Sequence, residues 1–135
     1  MAAISNIDPV LQKQAQDRCE YCHGPISLAE LSFQVDQIIA RKHGGTSEQD
    51  NLALSCFYCN SYKGPNIAGI DPQSSEIVRL FHPRKDEWTE HFQWADATLF
   101  GLTPVGRATI QVLGINDPNA IAVRESLMSE GVYPA

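Results

Sequence analysis

Apolar and polar positions change rhythm along the first half of this chain. Val10, Leu11, Gln14 and Ala15 recur at helical spacing behind Asp8-Pro9, a cap followed by a first-turn proline. They predict a helix over residues 8–18. Ser27-Leu-Ala-Glu30 resembles a capping box and predicts a short helix over residues 27–32. From Phe33 the period drops to two. Phe33, Val35 and Gln37 share one face and Gln34, Asp36 and Ile38 the other, which predicts a strand to Ile39. A polar loop over residues 40–50 turns at Gly44-Gly45, and Asn51-Leu-Ala-Leu-Ser55 is a second strand. Tyr58 to Lys63 then starts a short helix that Gly64-Pro65 stops. The order is strand, loop, strand, helix.

The second half reads as a further α+β unit. Ile67-Ala-Gly-Ile70 and Ile77-Val-Arg-Leu-Phe81 predict a hairpin across Asp71-Pro72-Gln73-Ser74. Residues 86–92 predict a helical turn and residues 93–99 one further strand. Thr103-Pro104 starts a helix running to about Leu113, and Asp117-Pro118 starts another that Gly131 stops. No repeat, low-complexity run or second domain interrupts this order. The expectation is one domain over residues 1–135: an N-terminal helix over about 8–18, a core over about 19–64, and an extension over 65–135.

The cysteines change the picture. All four fall in two Cys-x-x-Cys pairs, Cys19-Glu-Tyr-Cys22 and Cys56-Phe-Tyr-Cys59, which bracket the first strand–loop–strand. Each pair can present two sulfurs to one ion from a tight knuckle, and four thiolates suit a tetrahedral structural Zn²⁺. Such a site contributes roughly 10–16 kcal/mol of apparent binding energy to folding. Two disulfides are an alternative that needs an oxidising compartment. The opening Met1-Ala-Ala-Ile-Ser-Asn-Ile-Asp-Pro9 has no basic start and no apolar run, so no secretory signal is expected there. A rubredoxin-type iron site is the other alternative, and would be expected to carry more Gly and Pro around its knuckles.

Net charge is −6. A protein held on nucleic acid by bulk charge is therefore not expected, because phosphate contacts come from Lys and Arg. A local basic site remains open: Arg41-Lys42-His43 lies between the cysteine pairs, Lys63 follows the second, and Arg84-Lys85 comes later. No stretch is long and apolar enough for a membrane span, and a cytoplasmic location is the expectation.

Residues 19–64 resemble the HNH endonuclease family of ββα-metal nucleases. The resemblance rests on Cys19-x-x-Cys22, Val35-Asp36-Gln37-Ile38-Ile39, Gly44-Gly45, Asp50-Asn51-Leu52-x-Leu54 and Cys56-x-x-Cys59-Asn60-x-x-Lys63-Gly64. Leu80-Phe-His-Pro-Arg84, Trp88-x-x-His91-Phe92 and Gly101-Leu-Thr-Pro-Val-Gly-Arg107 look similar to small stand-alone bacterial members. The resemblance implies an α+β fold: a ββα-metal core stapled by Cys19, Cys22, Cys56 and Cys59, extended by a β-hairpin and C-terminal helices.

It also implies a divalent-metal-dependent endonuclease that hydrolyses DNA phosphodiester bonds. Asp36 and Asn60 would hold Mg²⁺ or Mn²⁺, since both offer oxygen to a hard cation. Asn51 would tie the loop by a side-chain–backbone hydrogen bond and so orient residue 37. Arg41, Lys42, His43 and Lys63 would contact nucleic acid. The residue that takes a proton from the attacking water should be histidine, and here it is Gln37. A carboxamide can orient water but cannot accept a proton near neutral pH. General-base catalysis contributes about 10²–10⁴-fold in rate.

Three readings follow: a slow or deliberately inactivated nuclease, another histidine (His43, or His82 or His91 through the fold) serving as base, or a non-catalytic nucleic-acid-binding module on the same fold. Plain structural roles stand beside these. Asn60 is also a good helix cap, Arg41-Lys42-His43 suits a solvated loop, and Trp88, Phe92 and Trp94 suit a core.

Overall fold

The computed structural model describes residues 8–24 and 33–131; the short helix expected over residues 27–32 lies outside them. Helix α1 spans Pro9–Gln14 and is capped by Asp8, whose carboxylate accepts from Val10 N at 2.8 Å. It is shorter than the expected 8–18. Gln16 and Asp17 adopt left-handed backbone conformations (φ 58° and 56°), and Asp17 N donates to Gln12 O. That closure, with the Gln12–Asp17 side-chain bond, turns the chain out of the helix and into the first knuckle. Leu11 and Ala15 are buried, and α1 packs on the second strand of the core.

Strand β1 (Gln34–Gln37) pairs antiparallel with β2 (Leu52–Ser55) in the register Gln34 to Ser55 and Asp36 to Ala53. Helix α2 (Phe57–Lys63) covers one face of the pair. The strand alternation is the expected one, but the more buried face is the polar one. Gln34 and Asp36 are buried, while Val35 and Gln37 are half-buried. Their cross-strand partners on that face, Ser55 and Ala53, are small and fully buried, which leaves room under α2 for the longer polar side chains.

The extension starts with the hairpin β3 (Ala68–Ile70) and β4 (Ile77–Arg79), followed by the single turn α3 (Trp88–His91). Residues 93–99 were expected as one strand. They contribute instead to a second hairpin, β5 (Phe92–Ala95) and β6 (Thr98–Gly101). The bend falls at Asp96, whose φ of 53° is a conformation Asp tolerates better than most residues. Helix α4 (Pro104–Val112) packs on β3, β4 and β6, and α5 (Pro118–Ser129) follows. Thr103 and Asp117 cap them, accepting from Gly106 N and Asn119 N. Leu80, Phe81, Phe92, Leu99, Leu113 and Ile115 form the apolar interior, continuous with Tyr21, Phe33 and Leu54 of the core.

Candidate active site and metal centre

The four cysteine sulfurs lie within 4.8 Å of one another, and Cys22 Sγ is 3.9 Å from Cys56 Sγ. A tetrahedral ion with Zn–S bonds of about 2.3 Å separates its sulfurs by about 3.8 Å, so the cluster has the size and chemistry for Zn²⁺. The cysteines are unbridged. Backbone N–H groups point at two of the sulfurs, Gly24 N at Cys22 Sγ and Cys59 N at Cys56 Sγ, both 3.4 Å.

The knuckles carry β1 and α2 into register. Strand alternation directs Gln34 and Asp36 toward α2, and helical spacing directs Asn60 and Lys63 back at them. Two polar rungs result. Asn60 Nδ2 donates to Gln34 Oε1. Lys63 Nζ lies 3.2 Å from Asp36 Oδ2 and donates to Ile38 O at 2.9 Å and Gln37 O at 3.4 Å. Tyr21, in the first knuckle, donates its hydroxyl to Asp36 at 2.6 Å. Burial pushes the Asp36 carboxyl above the ordinary carboxylate range, opposed by the Lys63 ammonium and the Tyr21 hydrogen bond. Burial, with the Asp36 charge, keeps Tyr21 a neutral phenol far above its ordinary range.

Gln37 points to the opposite face of the strand end, where its Nε2 donates to Ser47 Oγ at 3.1 Å. Asn51 holds the loop between them. Its Oδ1 accepts from Ile39 N at 2.8 Å, and its Nδ2 donates to Ile39 O at 3.0 Å and Thr46 O at 2.7 Å. The two loop glycines serve different ends. Gly44 has φ of 92°, while a Cβ on Gly45 would sit 1.7 Å from Ile39 O. Arg41, Lys42 and His43 form an exposed 3-10 turn in the same loop.

Residues 19–66 match the family model described as HNH endonuclease, just over a third of the chain. These residues are similar to an HNH endonuclease domain. No curated protein and no solved structure matches the chain in the corresponding comparisons. That similarity points to nuclease or other nucleic-acid chemistry, and the cysteine cluster fits a metal. No helix among the described residues is long and apolar enough to cross a membrane.

Within the matched residues, Lys63 is placed otherwise than as a surface contact. Lys63 was expected at a nucleic-acid phosphate, but its side chain is 1% exposed and its ammonium is turned inward onto oxygens of β1. The physical reason is its place at the end of α2, on the face that Asp36 occupies from the other side. Two members of the site escaped the sequence reading. Tyr21 hides inside a cysteine knuckle, and Gln34 looks like an ordinary strand residue. The strand period placed Gln34 beside Asp36, which was a usable signal; nothing local pointed to Tyr21.

His91 Nδ1 meets Thr103 Oγ1 at 2.6 Å, and His82 Nδ1 accepts from Arg84 N. Arg84 itself bridges Glu20 and Leu52 O. A cavity of about 390 Å³ lies between the second knuckle and α5, lined by Tyr58, Tyr62, Ile115 and Leu127; Asp36, Gln37 and Asn60 do not line it.

Asp36 and Asn60 offer a carboxylate and a carboxamide from facing elements, the hard oxygen donors that suit Mg²⁺ or Mn²⁺. In donor chemistry they fit such an ion.

Proposed function

We propose that the chain is an HNH endonuclease that hydrolyses DNA phosphodiester bonds, slowed by Gln37, with a structural Zn²⁺ on its four cysteines. One observation carries this reading: Asp36 and Gln37 are adjacent residues on opposite faces of the end of β1, flanked by the exposed basic turn Arg41–His43. In-line displacement at phosphorus needs the nucleophile on one side and the leaving oxygen on the other. Adjacent strand residues supply that two-sided arrangement around a phosphate set at the strand end.

Asp36 and Asn60 would hold a divalent cation on the leaving-group side. When bound, that cation stabilises negative charge on phosphate oxygens. On the other side, Ser47 takes a hydrogen bond from the Gln37 side-chain nitrogen, which lets the Gln37 side-chain oxygen Oε1 accept a hydrogen bond from an attacking water. It orients the water without removing its proton. Asn51 keeps that loop and the strand end in fixed relation. Arg41, Lys42 and His43 contact backbone phosphates.

The test is supercoiled-plasmid cleavage with Mg²⁺ and Mn²⁺ by the chain and by Gln37→His. The histidine variant is expected to cut about 10²–10⁴-fold faster, and Asp36→Ala or Asn60→Ala in that background to abolish cutting with the zinc retained.

A second reading, a nucleic-acid-binding HNH module that does not cut, is favoured by the ammonium seated on Asp36 together with Gln37. It predicts no cleavage by a folded, zinc-loaded Gln37→His variant, and DNA affinity unchanged by Asp36→Ala.

A further inference from the structure

Lys63 is the one lysine with its ammonium closed inside the described structure. Its three N–H bonds face three acceptor groups: the Asp36 carboxylate at 3.2–3.3 Å, Ile38 O at 2.9 Å and Gln37 O at 3.4 Å. One carboxylate and two backbone carbonyls are also the donors that a hard cation takes. The carboxylate offered to a divalent ion is thus already neutralised by a cation of the chain's own. A doubly charged ion set beside a retained ammonium, in a buried place, meets strong repulsion. Lys63 is the last residue of α2 and Gly64 follows with φ of 49°, so the four-carbon stem lies at a helix end.

We propose that Lys63 is an exchangeable internal cation: a divalent ion reaches Asp36 only when the Lys63 ammonium leaves, and the displaced ammonium is then exposed to a nucleic-acid phosphate. This rests on the reading of Asp36 as a divalent-cation ligand. It adds a positioning role for Lys63, because the ammonium that leaves Asp36 also releases the carbonyls of Gln37 and Ile38. Loading with metal and contact with phosphate become linked, each favouring the state that the other favours.

The test uses the zinc-loaded full chain and Mn²⁺ alone, followed by electron paramagnetic resonance. Lys63→Met keeps the stem and removes the charge, and is expected to bind Mn²⁺ about tenfold tighter or more than the unaltered chain. Adding Asp36→Asn to that variant should erase the gain. A purely structural Lys63 would not raise metal affinity when removed, so equal or weaker Mn²⁺ binding by folded Lys63→Met overturns the proposal.

Should that variant not fold, acetylation of lysines in the unaltered chain decides. Lys63 should be protected without Mn²⁺ and clearly more reactive at saturating Mn²⁺, with Lys42 and Lys85 unchanged. Protection that persists while Mn²⁺ is bound, or the absence of any Mn²⁺ binding, overturns it equally. Neither readout depends on cleavage, so failure here is distinct from failure of the nuclease reading, which is lack of cutting by Gln37→His.

Discussion

Two interiors of this chain are built from opposite materials. Between β1–β2 and α2 the buried side chains are Gln34, Asp36, Ser55 and Lys63. Between the two hairpins and α4 they are Leu80, Phe81, Phe92, Leu99, Ala108 and Leu113. In the second region apolar area leaves water and the rings of Phe81 and Phe92 meet edge to face at 5.2 Å; burial alone stabilises it. In the first, every buried group needs a partner to offset its desolvation. All have one: among the described residues no buried side-chain nitrogen or oxygen lacks a hydrogen bond. Such an interior breaks even at best. Four-residue strands and a seven-residue helix add little of their own. What the polar region has and the apolar one lacks is a four-cysteine cluster of metal-binding size at its ends. The difference makes the polar interior the part of the fold that depends most on partners and on its cysteine cluster.

The comparison breaks most visibly if this cysteine clip is broken. Chelation or Cys19→Ser is expected to cost the polar region roughly 10 kcal/mol or more, enough to unfold it. Amide exchange should show β1, β2 and α2 losing protection before β5, β6 and α4. Simultaneous loss would mean that the two interiors melt as one unit, joined by Tyr21 against Phe81 and by Trp88 Nε1 on Tyr21 O at 2.9 Å.

Next in size is the apolar side. Phe81 is 3% exposed and touches the rings of Tyr21, His91 and Phe92. Phe81→Ala is expected to lower unfolding free energy in urea by about 3–5 kcal/mol while the protein still binds one zinc per chain. Loss of zinc in that variant would show that the clip leans on the apolar interior as well as the reverse.

Where the sequence foretold structure, the determinant was local. Asp8-Pro9, Thr103-Pro104 and Asp117-Pro118 start helices because cap and first-turn proline act within three residues, and each cap bond is present. The Asp71 turn is equally local, with Asp71 accepting from Gln73 N and from Ser74 Oγ. The strand period told that Gln34 and Asp36 share a face, but not that this face would be the buried one. That depended on α2 arriving with Asn60 and Lys63, and on Ala53 and Ser55 being small. The inward turn of Lys63, the Tyr21 hydroxyl on Asp36 and the second hairpin at Asp96 all arise from pairings between distant segments. The cysteine pairs were the exception, a long-range contact visible in sequence because metal-ligand spacing is itself a local code.

A smaller probe separates loop order from core stability. Asn51 is 7% exposed and makes three backbone bonds across residues 39 and 46. Asn51→Ala strands Ile39 N, and a buried donor left unpaired costs about 1–3 kcal/mol. The melting temperature should fall modestly while the Ile39 amide exchanges far faster than those of Val35 or Leu54. Equal acceleration at all three would mean that the loop tie supports the whole sheet.

The finest probe is at the far end of the polar region. The Asp8 carboxylate caps α1 and also accepts from Gln49 Nε2 at 3.1 Å, joining that helix to the loop before Asn51. Both bonds are exposed, so solvent competes for them. Asp8→Ala is expected to cost only about 0.5–2 kcal/mol, the ordinary worth of an N-cap. Asp8→Asn keeps an oxygen for Val10 N and should recover most of it. If Asn fails to recover it, the carboxylate's charge or its bond to Gln49 matters more than the cap. The polar region would then depend on α1 as a third support beside the zinc clip and the apolar interior.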